Sequence, residues 1–274
     1  MKEKLDFNKK FEKTKQTKLK QEFFSIFIKK GYKIQKPVTL NNNKDKTVAF
    51  TGATINAYKD ILKNSTLSNT LCSQECIRLH NLYNLDNNPE YLSNFNMLAI
   101  TIKPDTSELI DSIKLFKYYL ISNFNSKLLY FKQGKNNVIN HILIENDFTP
   151  LYQNYNYQWK YGIDGLKGIG VGLCDDSGNE YGNIVAIYRN NELIGYEAGF
   201  GLETTLARMN NNTPFDNSIK LKELKQKYDK ASTIKLDLLN LQKRLEELGI
   251  GTRDNKYRRK RILQKLNKSL SELI

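Results

Sequence analysis

An acidic residue followed by two closely spaced glycines marks the segment of this chain whose residue types best suit chemistry. Glu197, Gly199 and Gly201 alternate along a predicted strand that leads directly into a predicted helix. Glycines allow a ligand to approach the backbone closely, and a helix begins with free N–H groups that attract anions. Such a junction is where a nucleotide-activating site would place its floor.

The charge balance favours a polyanionic partner. The chain has 274 residues, enough for a substantial core, and its 43 Lys and Arg residues against 29 Asp and Glu residues give a net charge of +14. This excess makes RNA a candidate partner, because basic proteins associate with nucleic acids through phosphate contacts.

The sequence also disfavours several classes of site. Cys72, Cys76 and Cys174 lack the paired spacing of a disulfide framework or a four-cysteine zinc site. His80 and His141 fit neither a metal-ligand nor a nucleophile–base pattern. No segment approaches the roughly 20 apolar residues needed to span a bilayer, so we expect a cytoplasmic protein with no membrane partner.

Hydrophobic periodicity predicts mixed α and β elements. Helices are predicted over 19–30, 55–62, 106–122 and 136–145, with a further helix beginning near Gly201. Strands are predicted over 32–35, 47–51, 71–79, 95–102, 127–132, 171–174, 183–188 and 193–197, and 127–145 is expected outside the main run of the sheet. The two strands at 71–79 and 95–102 are expected to pair antiparallel across a long loop. These elements predict an α+β fold with a mainly antiparallel sheet flanked by helices.

The pattern divides the chain into three parts. Residues 1–18 form a basic N-terminal extension, which is expected to be frayed, and residues 19–213 contain the sheet. Beyond Pro214 the leucines recur at helical spacing, which predicts a basic helical subdomain over 214–274.

Several segments resemble the catalytic module of alanyl-tRNA synthetases, which are class II enzymes. Residues 50–60, Phe-Thr-Gly-Ala-Thr-Ile-Asn-Ala-Tyr-Lys-Asp, are similar to the family's Phe-Thr-Asn-Ala-Gly-Met-Asn-Gln-Phe-Lys-Asp. Residues 73–78, Ser-Gln-Glu-Cys-Ile-Arg, resemble its second class II motif, and residues 95–98, Phe-Asn-Met-Leu, resemble Phe-Glu-Met-Leu. The similarity runs in order from about 19 to 265 and has no counterpart of the family's editing and C-terminal domains.

The resemblance implies roles for particular residues. Arg78 would grip the α-phosphate of ATP as the catalytic residue, Phe95 would stack on adenine, and Met97 would line the amino-acid pocket. Trp159 would form a wall of that pocket, Asn183 would hydrogen-bond the substrate, and Glu197 would receive its ammonium group. The ATP site would further include Asp86, Gly199, Gly201 and Arg208.

The chain departs from the family's pattern at functionally important positions. The third class II motif normally ends in an arginine that contacts the γ-phosphate, and here that position is Thr204. Loss of one preorganised charge costs on the order of 3 kcal/mol of transition-state stabilisation. Arg208 lies one helical turn further on and is the candidate to compensate. The family's glutamate is replaced by Asn96, and its aspartate by Glu197.

The resemblance implies ATP and Mg²⁺ as cofactors. It assigns no ligands to the metal, and Glu203 and Asp86 are weak candidates for that role. In the basic helix of the C-terminal part it also implies RNA contacts, at Arg253, Arg258, Arg259, Lys260 and Arg261. A solvated charged face is the alternative interpretation of these residues.

Two classes of function follow from the sequence. The first is an enzyme that activates a small amino acid, alanine or one of similar size, as its adenylate and transfers it to tRNA, a carrier protein or a small metabolite. The second is a paralogue with weakened catalysis that acts as an RNA-binding or regulatory partner. The sequence leaves the acceptor open.

Overall fold

The computed structural model describes residues 2–41, 48–83, 91–151, 156–250 and 257–272. Within these ranges the helices are α1 (Lys2–Lys29), α2 (Lys59–Asn64), α3 (His80–Tyr83), α4 (Thr106–Asn123), α5 (Asn137–Glu145), α6 (Leu202–Asn210), α7 (Ile219–Lys227), α8 (Thr233–Glu247) and α9 (Tyr257–Glu272). The strands are β1 (Lys33–Ile34), β2 (Thr70–Ile77), β3 (Asn94–Ile102), β4 (Tyr130–Lys132), β5 (Thr149–Leu151), β6 (Gln158–Lys160), β7 (Leu166–Cys174), β8 (Glu180–Arg189) and β9 (Glu192–Gly201).

The strands form one sheet in the order β1-β2-β3-β9-β8-β7-β4-β5, with β6 paired to β7 beside this run. The pairs β1/β2 and β4/β5 are parallel, whereas the other pairs are antiparallel. The α+β prediction, with a mainly antiparallel sheet flanked by helices and a helical C-terminal part, is therefore confirmed.

Local sequence signals account for the central elements. Asp105 caps α4, because its carboxylate accepts hydrogen bonds from the backbone N–H groups of Ser107 (2.8 Å) and Glu108 (3.2 Å). Strands β8 and β9 are joined at Asn190 and Asn191, both of which have positive φ. Asparagine tolerates this conformation better than most residues, so the pair makes the tight turn that sets the register of β8 against β9.

One face of the sheet carries the main hydrophobic core. Alternate strand residues point towards α1, α4, α5 and α6, and aromatic rings fill the centre of this layer. Phe200 of β9 lies 5.6 Å from Phe23 of α1 and 5.6 Å from Phe116 of α4, measured between ring centroids. The opposite face of the same strands, called the open face below, carries smaller apolar clusters and polar residues.

The helices α7 to α9 pack directly against the sheet-forming part of the chain. Leu238 and Leu241 of α8 share a buried cluster with Phe50, Ile77 and Leu82. An ion pair supplements this contact, since Arg244 of α8 donates to both carboxylate oxygens of Glu75 on β2, at 2.9 and 2.6 Å. The helical part thus completes the core at one end of the sheet.

Some local predictions need correction. No strand forms over the described part of 47–51, where Thr51 instead makes isolated backbone bonds to Leu40 and Ile77. Segment 55–62 is divided into a 3₁₀ turn (Thr54–Tyr58) and α2, and 127–132 into a 3₁₀ turn (Ser126–Leu128) and β4. β4 joins the main run of the sheet through β7. The predicted first helix begins much earlier, because α1 continues through the lysine-rich region.

Candidate active site

Strand register brings most of the predicted site residues to one region of the open sheet face. Phe95 and Met97 lie on β3, and Glu197, Gly199 and Gly201 alternate along β9. Met97 is paired with Gly201, and Asn183 of β8 is paired with Gly199. Because side chains alternate along a strand, the odd-numbered residues of β3 and β9 share this face.

The sheet floor at this point is flat because side chains do not fit there. A Cβ added at Gly199 would lie 2.9 Å from the Cβ of Ala99, and one added at Gly182 would lie 2.4 Å from the carbonyl oxygen of Gly199. Both distances are shorter than van der Waals contact allows. Glycine at these positions lets neighbouring strands approach closely. Gly199 lies on the open face, whereas Gly182 is paired with the core-facing Phe200 and contributes only backbone to the cavity lining.

A cavity of about 140 Å³ lies above this floor. Five of the predicted site residues line it, as does Thr204 at the start of α6. The five are Arg78, Phe95, Met97, Asn183 and Gly201. Sequence analysis did not single out the remaining lining residues, which are Tyr91, Leu92, Glu180, Tyr181, Gly182 and Phe200. Tyr91 and Leu92 precede Phe95, Glu180 to Gly182 precede Asn183, and Phe200 stands between Gly199 and Gly201, so proximity in sequence to a predicted site residue is the signal that pointed towards them.

Arg78 is held at the edge of the cavity by three contacts. Its Nε donates to the carbonyl of Gly52 (3.0 Å), and its Nη2 lies 3.8 Å from the sulfur of Met97. The guanidinium carbon lies 5.2 Å from the centre of the Phe95 ring, a cation–π distance. These contacts orient the planar group of Arg78, which is one of the residues that line the cavity, and a fixed guanidinium is suited to phosphate oxygens.

Glu197 is buried on the same sheet face and is not among the residues that line the cavity. The side chain is 6% exposed, and its Oε1 accepts a hydrogen bond from the hydroxyl of Thr54 at 2.6 Å. Burial raises the pKa of the carboxyl to about 7, while the Thr54 hydrogen bond and the positive charge of Arg78 act in the opposite direction. A carboxyl in this state changes charge near neutral pH.

This raised pKa predicts a pH dependence of stability. Between the ordinary value of 4.5 and about 7 the folded protein holds a proton that the unfolded chain releases, so stability falls as pH rises through this window. We expect Glu197→Gln to remove this fall, which amounts to about 2 kcal/mol between pH 5 and pH 7.5. Urea denaturation of both proteins across this range measures it. Parallel stability curves for the two would contradict the prediction, because other titrating groups contribute equally to both.

Three further predicted residues also lie away from the cavity lining. Trp159 of β6 stacks on Tyr157, with ring centroids 5.9 Å apart, and packs against the apolar cluster around Tyr161. Gly199 is on the same sheet face but is not among the residues that line the cavity. Arg208 donates from Nε to the carbonyl of Glu180 at 3.4 Å, so it contacts the backbone of a cavity residue. Asp86 lies outside the described residues.

The carboxylates around the cavity do not fit a protein-held Mg²⁺. Glu180 accepts from Lys132 (3.2 Å) and from the hydroxyl of Tyr157. Glu203 accepts from both the backbone and the side-chain amide of Asn96, at 3.0 and 2.9 Å. Across the described ranges, no three His, Cys, Asp or Glu side chains are grouped as a metal ion would require. We therefore assign no metal ligand.

A second groove of about 1,010 Å³ lies on the other side of Arg78. Arg261 and Lys265 of α9 line it together with the exposed ring of Tyr83, and the Lys265 ammonium lies 3.8 Å from the centre of that ring. Among the described residues that line it, the charged ones are all cations. The groove thus presents positive charge and an aromatic surface next to the cavity.

The residues of the basic helix predicted to contact RNA differ in their surroundings. Lys260 and Arg261 are exposed, whereas Arg259 is only 2% exposed. Arg259 donates to the carbonyl of Ala49 at 3.0 Å, and its guanidinium lies 5.5 Å from the Phe50 ring. Arg253 and the side chain of Arg258 lie outside the described residues. Arg259 is therefore a packing residue that joins α9 to the segment before β2.

This difference predicts opposite consequences for two neighbouring substitutions. We expect Arg259→Ala to lower the free energy of unfolding by about 2 kcal/mol, because it removes a buried hydrogen bond and a packed side chain. Lys260→Ala should leave stability within about 0.5 kcal/mol of wild type, because its side chain is exposed. Denaturant unfolding of the two variants measures the difference. Equal stability of the two variants would contradict the packing role.

The remaining expectations from the sequence concern cysteines and membranes. All three cysteines are buried and free, and burial raises the pKa values of Cys72 and Cys174 to about 12. None of the described helices has the length and apolar character of a membrane-spanning segment.

Similarity to known proteins is confined to solved structures. No protein-family model matches the sequence, and no curated protein matches it either. Among solved structures, it is similar to asparaginyl-tRNA synthetase from Pyrococcus horikoshii complexed with asparaginyl-adenylate, at 8% identity and a TM-score of 0.47, over 76% of this chain and 68% of that one. The asparaginyl-tRNA synthetase of Entamoeba histolytica in complex with asparaginyl-adenylate is 7% identical with a TM-score of 0.48, and the match covers 77% of this chain and 67% of that one. The aspartyl-tRNA synthetase of the same organism is 10% identical with a TM-score of 0.46, and the match covers 76% of this chain and 57% of that one. All three are class II synthetases, and none is an alanyl-tRNA synthetase.

Proposed function

We propose that the protein forms an aminoacyl adenylate from ATP and a small amino acid, such as alanine, and transfers the acyl group to an acceptor. One observation carries this proposal. The Arg78 guanidinium and the Phe95 ring lie together at the edge of a cavity whose other lining residues include Met97 and Asn183. An aromatic face beside a fixed cation suits a base attached to a phosphate chain.

In the proposed first step, a carboxylate oxygen of the amino acid attacks the α-phosphorus of ATP. The new oxygen–phosphorus bond forms as the bond to pyrophosphate breaks, and the departing pyrophosphate carries the negative charge. Arg78 donates hydrogen bonds to oxygens of the α-phosphate and balances the charge that develops there. Helix α6 begins after Gly201, and Gly201 and Thr204 line the cavity, so the positive end of the helix dipole lies next to it.

In the second step a hydroxyl, thiol or amine of the acceptor attacks the activated carbonyl carbon, AMP leaves, and the acceptor loses a proton to solvent. The groove beside Arg78 supports tRNA as the acceptor, because Arg261, Lys265 and Tyr83 provide cations and a stacking surface. A carrier protein or a small metabolite would use the same chemistry. The free cysteines fit the reducing cytoplasm as the place of action.

A second candidate function is an RNA-binding or regulatory protein that no longer activates amino acids efficiently. One observation favours it. Arg78 is the sole cationic side chain among the described residues that line the cavity, because Thr204 stands at the position of the third-motif arginine. In this case the cavity would have little affinity for the phosphates of ATP, and the basic groove would be the active surface.

Amino-acid-dependent exchange of pyrophosphate into ATP separates the two functions. The assay is run with each proteinogenic amino acid and with β-alanine and D-alanine, against a control without amino acid. Exchange with one small amino acid is the result expected for an adenylating enzyme. Absence of exchange with every member of the panel, from protein that is folded by circular dichroism and binds RNA, would support the second function.

A further inference from the structure

Arg78 and Glu180 reach the candidate cavity from different sides of the sheet. Arg78 directly follows β2 and Glu180 begins β8, and strands β3 and β9 lie between these two strands. Neighbouring strands are about 4.8 Å apart, so the two backbones are separated by about 14 Å. Both residues nevertheless line the same cavity, and among its described lining residues they are the one cation and the one anion. The cavity therefore carries opposite charges at two sides, as a small zwitterion requires.

The carboxyl group of Glu180 lies on the open face, beside the paired residues Gly172 and Asn183. A Cβ added at Gly172 would lie 3.1 Å from the carboxyl carbon of Glu180 and 2.6 Å from the hydroxyl oxygen of Tyr157. The second distance is much shorter than van der Waals contact allows. Glycine at this position therefore makes the space in which Tyr157 and Glu180 meet.

Two donors hold the Glu180 carboxylate through the same oxygen. Oε1 accepts from the Tyr157 hydroxyl and, at 3.2 Å, from the Lys132 ammonium group. The Tyr157 ring is itself stacked on Trp159, with ring centroids 5.9 Å apart. In the part of the chain that the structure describes, no donor contacts Oε2. A carboxylate has about four acceptor positions, so a ligand with N–H donors has an oxygen to bind.

A primary ammonium group suits this oxygen, because it brings a positive charge and three N–H donors. Asn183 lines the cavity close to this point, and its side-chain oxygen is a second acceptor for the same group. Arg78 suits the phosphate to which the carboxylate end of the amino acid becomes joined. Glu197 offers no comparable position, since it is not among the residues that line the cavity.

We propose that Oε2 of Glu180 receives the ammonium group of the amino acid, and that Glu197 does not contact the substrate. Tyr157 is a positioning residue, because it acts through Glu180. The proposal rests on the proposed function for the identity of the ligand as an amino acid. It replaces the role that the resemblance implies for Glu197, and it gives Trp159 a supporting role through Tyr157.

Three variants and two ligands isolate the charge of Glu180. Glu180→Gln keeps the shape of the side chain and removes its charge, and Tyr157→Phe keeps the ring and removes the hydroxyl. Glu192→Gln is the matched control, because it is the same substitution at an exposed residue that begins β9. The ligands are L-alanine and L-lactate, which differ in that lactate has a hydroxyl in place of the amine.

Calorimetric titration at pH 7.5, with α,β-methylene-ATP present to prevent turnover, compares the affinities. We expect wild type to bind alanine at least about tenfold more tightly than lactate, and Glu180→Gln to lose this preference. Tyr157→Phe should bind alanine about fivefold more weakly, and Glu192→Gln should stay within about twofold of wild type. A preference for alanine that survives in Glu180→Gln, or that is missing in wild type, would overturn the proposal.

Carboxyl NMR of wild-type protein provides a test without any substitution. Saturating alanine should shift the signal of the Glu180 carboxyl carbon and leave that of Glu197 unchanged, because Glu180 alone lies against the ammonium group. The proposal is wrong if the Glu180 signal stays in place or if the Glu197 signal shifts as far.

The exchange assay separates this proposal from the proposed function. Alanine binding that depends on Glu180, without pyrophosphate exchange, would contradict the proposed function alone. Loss of the amine contact should raise the KM for alanine at least about tenfold in Glu180→Gln. Exchange by this variant with the wild-type KM for alanine would contradict the role of Glu180 alone.

Discussion

Arg78→Ala is expected to reduce amino-acid-dependent pyrophosphate exchange at least a hundredfold, because it removes a preorganised charge worth about 3 kcal/mol in the transition state. Arg78→Lys should recover a minor part of the rate, since an ammonium supplies charge without the planar pair of N–H donors. Steady-state exchange over a range of ATP concentrations measures the effect. The loss should fall mainly on kcat, because the interaction strengthens as pyrophosphate departs.

Arg189→Ala is the matched control for this substitution. Arg189 also donates to backbone carbonyls, those of Leu62 and Ser65 at 3.1 Å each, but it lies at the end of β8 away from the cavity. Exchange by this variant should remain within about threefold of wild type. If Arg78→Ala retained as much exchange as Arg189→Ala, the guanidinium could not have the proposed role in adenylation.

Asp237→Ala is expected to lower the free energy of unfolding by about 3–5 kcal/mol. Asp237 of α8 is fully buried, and its carboxylate accepts from the backbone of Ser93 (3.1 Å), from the Ser93 hydroxyl (2.5 Å) and from the side-chain amide of Asn81 (2.8 Å). Removing the acceptor leaves three buried donors without a partner. Denaturant unfolding at pH 7 measures the loss.

Asp229→Ala provides the comparison, because Asp229 lies in the same helical part and is exposed. Its stability should stay within about 0.5 kcal/mol of wild type. Asp237→Asn should be intermediate, since its oxygen still accepts from the backbone of Ser93 while its NH₂ group opposes that of Asn81. Equal unfolding curves for Asp237→Ala and Asp229→Ala would show that the buried hydrogen bonds of Asp237 contribute nothing to the free energy of unfolding.

The parts of the fold predicted correctly are those with long, regular patterns. The long apolar runs of β3 and β9 are buried along almost their whole length, and the spacing of Leu109, Ile113 and Phe116 buries one face of α4, so the pattern and the packing coincide. The edge strands β5 and β6 have three residues each, too few for a pattern to emerge. Segment 48–51 has strand-like composition, yet its backbone bonds lead to separate partners and no ladder forms.

The candidate site was predictable where a single strand or a single motif contains its members. Phe95 and Met97 are two residues apart, and the glycines of β9 follow the same alternation. The hydrogen bond from Thr54 to Glu197 and the burial of Arg259 against Phe50 were not predictable, because they depend on how distant segments pack. Charge in the sequence cannot distinguish an exposed arginine from a buried one, and Arg259 and Arg261 illustrate this.

The glycine floor has a consequence for how this protein can evolve. Substitution at Gly182 or Gly199 would force neighbouring strands apart, so these positions are closed to gradual change through new side chains. Changes in what the cavity can hold are then expected at other lining residues such as Thr204, at the start of α6, and Tyr91, in a loop. Related proteins with this sheet would therefore differ mainly in the residues around the cavity, while the glycines of β8 and β9 stayed the same.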